Sequence, residues 1–199
     1  SSIMHDIIRK FSSGKKINVQ LISESKLQLE SEKSLFKLNC IDAQEFPVTD
    51  ENIDGSEVTI NSNGFLKLLN KCKFSISSDE TRHYLSGIYF HVTQNDDKKF
   101  LTAVSTDSHR MSISKMKLNE TIEFEPIILP RKTIYQLCAL LENFSGDIKI
   151  ISKKNKIKFI LKNSVLTSKV IDGKFPNYVQ VIPKNNKKRL QADLNLFQN

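Results

Sequence analysis

The chain has 199 residues, 39% of them hydrophobic and 26% charged, with 30 Lys and Arg against 22 Asp and Glu and a formal net charge of +8. This content suits a packed core but excludes a membrane-spanning protein, because no apolar run reaches 18 residues and no signal-peptide pattern opens the chain. The positive charge favours a polyanionic partner, nucleic acid first, although a Lys-rich solvated surface would give the same composition.

The chain repeats itself with a long period. Residues 34–47 and residues 164–176 contain the related strings I-D-A-Q-E-F-P and I-D-G-K-F-P, and Ile41 and Ile171 are 130 positions apart. A helix and two strands are predicted before each copy, at 3–11, 16–22 and 26–30 and again at 134–144, 147–152 and 156–161. A period this long indicates a duplicated domain, since solenoid units are about 20–50 residues long.

The repeat predicts one complete unit with parts of two others. Residues 57–187 form the complete unit, residues 1–56 the second half of an earlier one, and residues 188–199 the start of a third. Polar connectors are expected at 44–56 and 184–189. We therefore expect the chain to be a piece of a longer protein.

The complete unit opens with a short strand at 57–60 and a helix capped by Asn61 or Ser62. Apolar residues recur along this helix at helical spacing, with polar residues on its other side. The apolar set is Phe65, Leu66, Leu69 and Cys72, and the polar set is Lys67, Asn70 and Lys71.

Alternating strands and a second helix follow. Strands are predicted at 84–93, 99–105 and 109–115, with a polar hairpin turn at 94–98. Pro130 is expected to open the second helix, and three more strands end at 170–171. The apolar stripe of the second helix comprises Ile134, Leu137, Cys138 and Leu141. The fold class is therefore α+β, with repeated domains of two helices backed by antiparallel sheets.

Residues 173–184 form an extended apolar connector, because Pro176 and Pro183 cannot both lie in a central strand. Phe175 is expected to anchor this connector to its own core, and Phe46 to do the same in the first copy. The three cysteines lack C-x-x-C spacing and lie in apolar-periodic contexts, so we expect buried free thiols in a reducing cytoplasm: Cys40, Cys72 and Cys138.

The string T-D-S-H-R at 106–110 contains the letters of a hydrolase triad, and a hydrolase using Asp107, Ser108 and His109 is one alternative. Triad side chains must converge, whereas consecutive strand residues point to opposite faces, and Ser108 lacks a G-x-S-x-G turn. A turn in which Asp107 accepts local backbone hydrogen bonds is the stronger interpretation. No metal-ligand spacing or phosphate-binding glycine motif occurs either, so no catalytic residue, metal or cofactor is predicted.

Five segments in order resemble the bacterial sliding clamp, the beta subunit of DNA polymerase III. They are T-R-H-Y-L-S-G-I-Y-F at 81–90, A-V-S-T-D-S-H-R-M at 103–111, I-L-P-R-K at 128–132, V-I-D-G-K-F-P-N-Y at 170–178 and V-I-P-K-N at 181–185. The resemblance covers the latter half of the family's first domain, all of the second and the start of the third. It implies the DNA-clamp fold.

The resemblance also implies a function without catalysis. Two three-domain protomers would close head-to-tail into a homodimeric ring around duplex DNA, without sequence specificity and without a membrane partner. The ring would act as a processivity factor in DNA replication, tethering the DNA polymerase III alpha subunit, the clamp loader and other proteins with clamp-binding motifs. The second alternative to the sliding clamp, besides the hydrolase, is a repeat adaptor protein that does not bind DNA.

Two sets of site residues follow from the resemblance. The expected DNA contacts are Lys67, Lys71, Arg82, His83, Arg131 and Lys132. The expected partner-peptide pocket comprises Leu85, Thr106, Ser108, His109, Arg110, Met111, Pro176, Gln180 and Val181. Its other wall would come from the third domain. Ser108 stands where the family usually has Gly, and Gln180 where an Arg is common, so peptide preference is expected to depend on these two positions.

Overall fold

The computed structural model describes residues 2–46, 55–118 and 124–198. The chain divides into two compact units, Ser1–Glu51 and Asn52–Asn199. No helix within these described ranges is long and apolar enough to cross a membrane. The assignment of 1–56, 57–187 and 188–199 to three clamp domains stays a prediction.

Within residues 2–46, which the structure describes, the first unit contains one α-helix and one antiparallel sheet. Its elements are α1 (Ser2–Ile8), β1 (Asn18–Ser23), β2 (Lys26–Ser31) and β3 (Ser34–Asn39), and the strand order is β1-β2-β3. The helix ends at Ile8, not at the predicted residue 11. The reason is local: the amides of Lys10 and Phe11 bond to carbonyls three residues back, which is a turn geometry that closes the helix.

The second unit contains two sheets and two longer helices. Its elements are β4 (Ser56–Asn61), α2 (Ser62–Cys72), β5 (Gly87–Asn95), β6 (Lys98–Thr106), β7 (Met111–Lys117), β8 (Ile127–Pro130), α3 (Arg131–Glu142), β9 (Asp147–Lys153), β10 (Lys156–Leu161), β11 (Ser164–Lys169) and α4 (Leu194–Gln198). Both sheets are antiparallel and four-stranded, with the orders β11-β10-β9-β4 and β7-β6-β5-β8. The α+β class is confirmed.

The second unit is built from two halves that exchange their first strands. One half runs β4, α2, β5, β6, β7, and the other runs β8, α3, β9, β10, β11. The strand β4 pairs with β9 of the other half, and β8 pairs with β5. Each helix begins where its exchanged strand ends, and its first amide bonds to the other half: Ser62 N to Gly146 O at 2.9 Å, and Arg131 N to Ser86 O at 3.0 Å.

The predicted repeat is visible in the strands of both units. The strand β2 begins at Lys26 and β10 at Lys156, while β3 begins at Ser34 and β11 at Ser164, so both pairs are 130 residues apart. In each unit the three strands form consecutive antiparallel pairs. The helix, strand, strand, strand order of the duplicated segment is therefore confirmed.

The apolar stripes of α2 and α3 are buried in one core together with apolar side chains from both four-stranded sheets. The stripe of α3 is buried as predicted. The buried stripe of α2 differs from the prediction at two residues: Leu68 is buried as well, and Leu66 is only half-buried. Cys72 and Cys138 are buried, and burial raises the pKa of the Cys72 thiol to about 11. Cys40 is only half-buried, because it follows the edge strand β3 of the smaller sheet.

Three predicted element boundaries were wrong for local reasons. The strand β5 begins at Gly87 because Glu80–Leu85 forms a 3-10 turn, and β7 begins at Met111 because the preceding residues form a turn. Pro130 ends β8 and stands before the first turn of α3, where its extended backbone caps the helix. The hairpin between β5 and β6 is confirmed.

We expect the substitution Gly87→Ala to lower the free energy of unfolding by about 2–3 kcal/mol. A Cβ at this position would collide with the backbone carbonyl of Leu129 on the paired strand, and backbone cannot move aside as a side chain can. Urea denaturation followed by circular dichroism measures the effect. The control is Gly64→Ala within α2, whose Cβ would meet the flexible Met116 side chain; a loss as large as that of Gly87→Ala would contradict the explanation.

Candidate functional site

The helices α2 and α3 pack against each other and expose basic side chains. Lys67 and Lys71 of α2 are exposed, as are Arg131 and Lys132 in the first turn of α3. The Tyr135 ring lies close to two cations: its centroid is 5.8 Å from the Arg131 guanidinium and 5.9 Å from the Lys73 amine. A cation in the first turn of α3 and one just past the end of α2 therefore lie near the same ring.

Arg82 and His83 lie in the 3-10 turn Glu80–Leu85 and not on the helices. The Arg82 Nε donates to Asp79 Oδ2 at 2.8 Å, and its Nη1 donates to Ser108 Oγ at 2.6 Å. The His83 ring lies 3.3 Å from the carbonyl oxygen of Asp172. Hydrogen bonds thus join both predicted DNA contacts to the segments that carry the predicted pocket.

A small second core lies beneath the predicted pocket. Leu85 is buried with Val104, Ile128 and Phe175, and the half-buried Met111 packs against this cluster. Leu85 comes from the 3-10 turn, Met111 from the start of β7 and Phe175 from the connector, so three distant segments meet here. The structure thereby brings together Leu85 and Met111 of the predicted pocket, whereas Val181 is exposed and outside this cluster.

Residues 106–111 form the turn between β6 and β7, which we call the pocket turn. Asp107 Oδ1 accepts hydrogen bonds from the amides of His109 and Arg110, both at 3.0 Å. Thr106 Oγ1 accepts from the Ser108 amide at 3.1 Å and donates to the Arg110 carbonyl at 2.8 Å. These bonds lower the pKa of the Asp107 carboxyl to about 2, chiefly through the backbone amides. The predicted Asp107-centred turn is confirmed.

The same contacts separate the groups that a hydrolase would need to bring together. Asp107 binds the main-chain amide of His109, whereas a triad requires a bond to the imidazole. The Ser108 hydroxyl binds the Arg82 guanidinium, which supplies protons and accepts none. This geometry does not activate Ser108 as a nucleophile.

Phe74 is a neighbour of the pocket turn that the sequence reading missed. The Arg110 side chain donates to the Phe74 carbonyl at 2.8 Å and lies 5.5 Å from the centroid of the Phe74 ring. The Phe74 side chain itself is largely exposed. A single exposed aromatic residue has no periodicity that would predict its contacts. The one signal in the sequence for Phe74 was its position just past the apolar stripe of α2.

The connector is anchored by a ladder of stacked rings. The rings of Phe175 and Tyr89 are parallel within 5° at 4.8 Å, and Tyr89 and His91 stack at 4.8 Å. The ring of His91 also lies 3.0 Å from the Tyr178 hydroxyl. Phe175 therefore anchors the connector as predicted, while Pro176, Gln180 and Val181 beyond it are exposed.

Phe46 does not repeat this arrangement, so that prediction was wrong. The Phe46 side chain is 75% exposed, whereas Phe175 is 7% exposed. The partner of Phe175 is Tyr89 on β5, and the described part of the first unit contains only the three strands that match β9, β10 and β11.

We expect the free energy of unfolding to fall as the pH falls below about 6.5, the ordinary pKa of histidine. Burial, helped by the nearby Lys115 charge, lowers the pKa of His91, so the unfolded chain binds a proton that the folded chain resists. Urea denaturation between pH 7.5 and pH 5 measures the slope. The variant His91→Phe should have a shallower slope; identical slopes would contradict the explanation.

A cavity of about 650 Å³ is lined by residues of the connector, including Phe175, and by the turn between β9 and β10. Tyr89, Ile128 and Asn155 are among its lining residues. None of the predicted pocket residues lines it, so this cavity is not the predicted pocket.

Comparison with known proteins gives the family. Residues 59–177 match the family model of the DNA polymerase III beta subunit, central domain. The chain is 34% identical over 196 residues to the beta sliding clamp of Caulobacter vibrioides (strain NA1000 / CB15N), covering 98% of this chain and 53% of that protein. It is 31% identical over 192 residues to that of Escherichia coli (strain K12), covering 96% of this chain and 51% of that protein.

A solved structure agrees with these matches. The crystal structure of a DnaN sliding clamp from Bartonella birtlesii bound to griselimycin is similar with a TM-score of 0.86 and 36% identity, over 94% of this chain and 50% of that one. The chain thus spans about half the length of the relatives it matches. Since the family model covers more than half of the chain and the fold agrees, the chain belongs to the DNA polymerase III beta subunit family, the bacterial sliding clamps.

Proposed function

We propose that the protein is a processivity factor of bacterial DNA replication: a homodimeric head-to-tail ring that encircles duplex DNA and tethers polymerases. Its membership of the sliding clamp family is the observation that carries this proposal. Similar repeated domains suit a ring, because a heterologous contact closes when the successive rotations complete a full turn. The ring would stay on DNA because it encloses the duplex, and it would catalyse no reaction. The protein would work in the cytoplasm, where the bacterial chromosome is.

The DNA-facing surface is proposed to be the exposed basic side of α2 and α3. Lys67, Lys71, Arg131 and Lys132 would meet phosphates and leave the bases unread, so binding would be independent of sequence and sensitive to salt. Arg82 and His83 would approach DNA from the 3-10 turn. Weak contacts that exchange easily allow sliding, and the exposure of these four cations on two helices that pack together supports this role.

The partner-binding surface is proposed to be the shallow pocket over the second core. Leu85 and Met111 would supply the apolar floor, and the pocket turn and the connector its polar rim. Short extended peptides of the DNA polymerase III alpha subunit, the clamp loader and other partners would dock there, as apolar anchors with a few polar groups suit peptide capture. Griselimycin is bound in the structure of a relative, and we propose that it would bind this surface of the present protein and serve as its probe.

A comparison of circular and linear DNA tests the ring. We expect protein that has been loaded on a nicked circular duplex to stay bound in a salt concentration that abolishes direct binding, because enclosure does not depend on charge. Gel filtration of labelled protein with the DNA measures retention, and cutting the circle once with a restriction enzyme should release the protein. Release from the uncut circle at the same rate would favour an adaptor that does not enclose DNA.

A further inference from the structure

Ser108, at the tip of the pocket turn, has an unusual backbone conformation. Its φ is 77°, in the left-handed region that glycine adopts freely and other residues adopt at a cost. The side chain is exposed, so no packing of the Ser108 side chain holds this backbone in place. The bonds of Thr106 and Asp107 stabilise the turn from within, and the Arg110 side chain joins its end to Phe74, but none of these groups contacts the Ser108 hydroxyl.

Arg82 supplies a contact from outside the turn. Its Nη1 donates to Ser108 Oγ at 2.6 Å across a separation of 26 residues. The other side of the same guanidinium is held by Asp79, which in turn accepts bonds from the Thr81 hydroxyl at 2.6 Å and the Thr81 amide at 2.9 Å. A planar guanidinium with two fixed partners has little freedom. Arg82 therefore joins the 3-10 turn that carries Leu85 to the turn that carries Met111.

We propose that Arg82 is a positioning residue of the partner-peptide pocket, and that its bond to the Ser108 hydroxyl holds the pocket turn in the shape that the peptide meets. The identity of the ligand rests on the proposed function. The hydrogen bond between Arg82 and Ser108, which we call the bridge, does not depend on it. A glycine at position 108 would adopt the same φ without strain and would not need the bridge. Arg82 is therefore required because residue 108 is a serine.

Substitutions at the two positions test this dependence. Ser108→Ala and Ser108→Gly both remove the hydroxyl, but only alanine keeps the strained backbone, so the pair separates the bond from the strain. Arg82→Ala is made alone and together with Ser108→Gly. Arg189→Ala removes an equal charge from the exposed polar segment 184–189 and is the control.

Two measurements are made on each variant. Amide hydrogen exchange at His109 and Arg110, measured on this chain, reports the order of the pocket turn. Calorimetry with griselimycin, on the protein carrying this chain, reports the pocket. We expect Arg82→Ala and Ser108→Ala to speed exchange about tenfold and weaken griselimycin binding about fivefold, the range of a lost charge-assisted hydrogen bond.

Ser108→Gly should leave amide exchange within about twofold of the wild type, and adding Arg82→Ala to it should not change the exchange further. Equal effects of Arg82→Ala in the serine and glycine backgrounds would overturn the proposal, as would no effect in the serine background. Faster exchange with unchanged griselimycin affinity would overturn the assignment of the bridge to the pocket. Failure of the wild type to bind griselimycin, with the exchange pattern intact, would count against the pocket in the proposed function and leave the bridge standing.

Discussion

We expect the substitution Met111→Asp to abolish the binding of a clamp-binding peptide and of griselimycin, with a loss of affinity of more than about a hundredfold. Met111 is half-buried and packs against the Leu85 cluster that would form the floor of the pocket. A carboxylate there would be desolvated by an apolar anchor of the peptide, which is costly. Isothermal titration calorimetry on the protein carrying this chain measures the loss.

The choice of position and control matters for this measurement. Leu85→Asp should also abolish binding, but Leu85 is only 3% exposed, so the variant would also disturb folding. Val165→Asp introduces the same charge on β11 at an apolar side chain that is 57% exposed, and its affinity should stay near that of the wild type. Undiminished binding by Met111→Asp would mean that peptides dock elsewhere.

The triple substitution of Lys67, Lys71 and Lys132 by Ala should weaken binding to linear duplex DNA and flatten its dependence on salt. Each lysine that neutralises a phosphate releases counterions, so the slope of log K against log salt should fall in magnitude by about 2.7 if all three make contact. Fluorescence anisotropy with a labelled duplex at several salt concentrations gives the slope directly.

A second triple variant controls for the loss of net charge. Lys33, Lys154 and Lys162 are exposed lysines in strand-connecting turns, and none of them belongs to α2 or α3. Their replacement by Ala removes the same charge and should leave the slope within about one unit of the wild type. An unchanged slope in the Lys67, Lys71 and Lys132 variant would show that α2 and α3 do not face the phosphates.

Periodic patterns explain what the sequence could predict. The stripe of Ile134, Leu137, Cys138 and Leu141 recurs at helical spacing, and all four side chains are buried in α3. The duplicated strands could be placed because both copies carry the same motif 130 residues apart. Such signals are local or repeated, so one sequence is enough to read them.

Contacts between distant residues explain what the sequence could not predict. The signal for a left-handed backbone at Ser108 is only the glycine that the family usually has there, because serine itself rarely adopts this conformation and its partner Arg82 lies in another segment. The same holds for the stacking of Phe175 on Tyr89, which also misled the reading of Phe46 because the first unit has no such partner among its described residues. The pocket surface depends on these pairings, so its shape needed three-dimensional coordinates.

The exchanged strands of the second unit determine how it must fold. The chain has to bring β4 beside β9 and β8 beside β5, so each half completes the sheet of the other. Neither half can therefore be an independent foldon, and unfolding should be a single cooperative transition across 55–118 and 124–169. Two of the six strand pairings described in this unit, β4 with β9 and β5 with β8, are distant in sequence, which slows folding relative to a meander of equal size. A destabilising substitution in β4 or β8 would therefore weaken both sheets and not only the sheet that contains it.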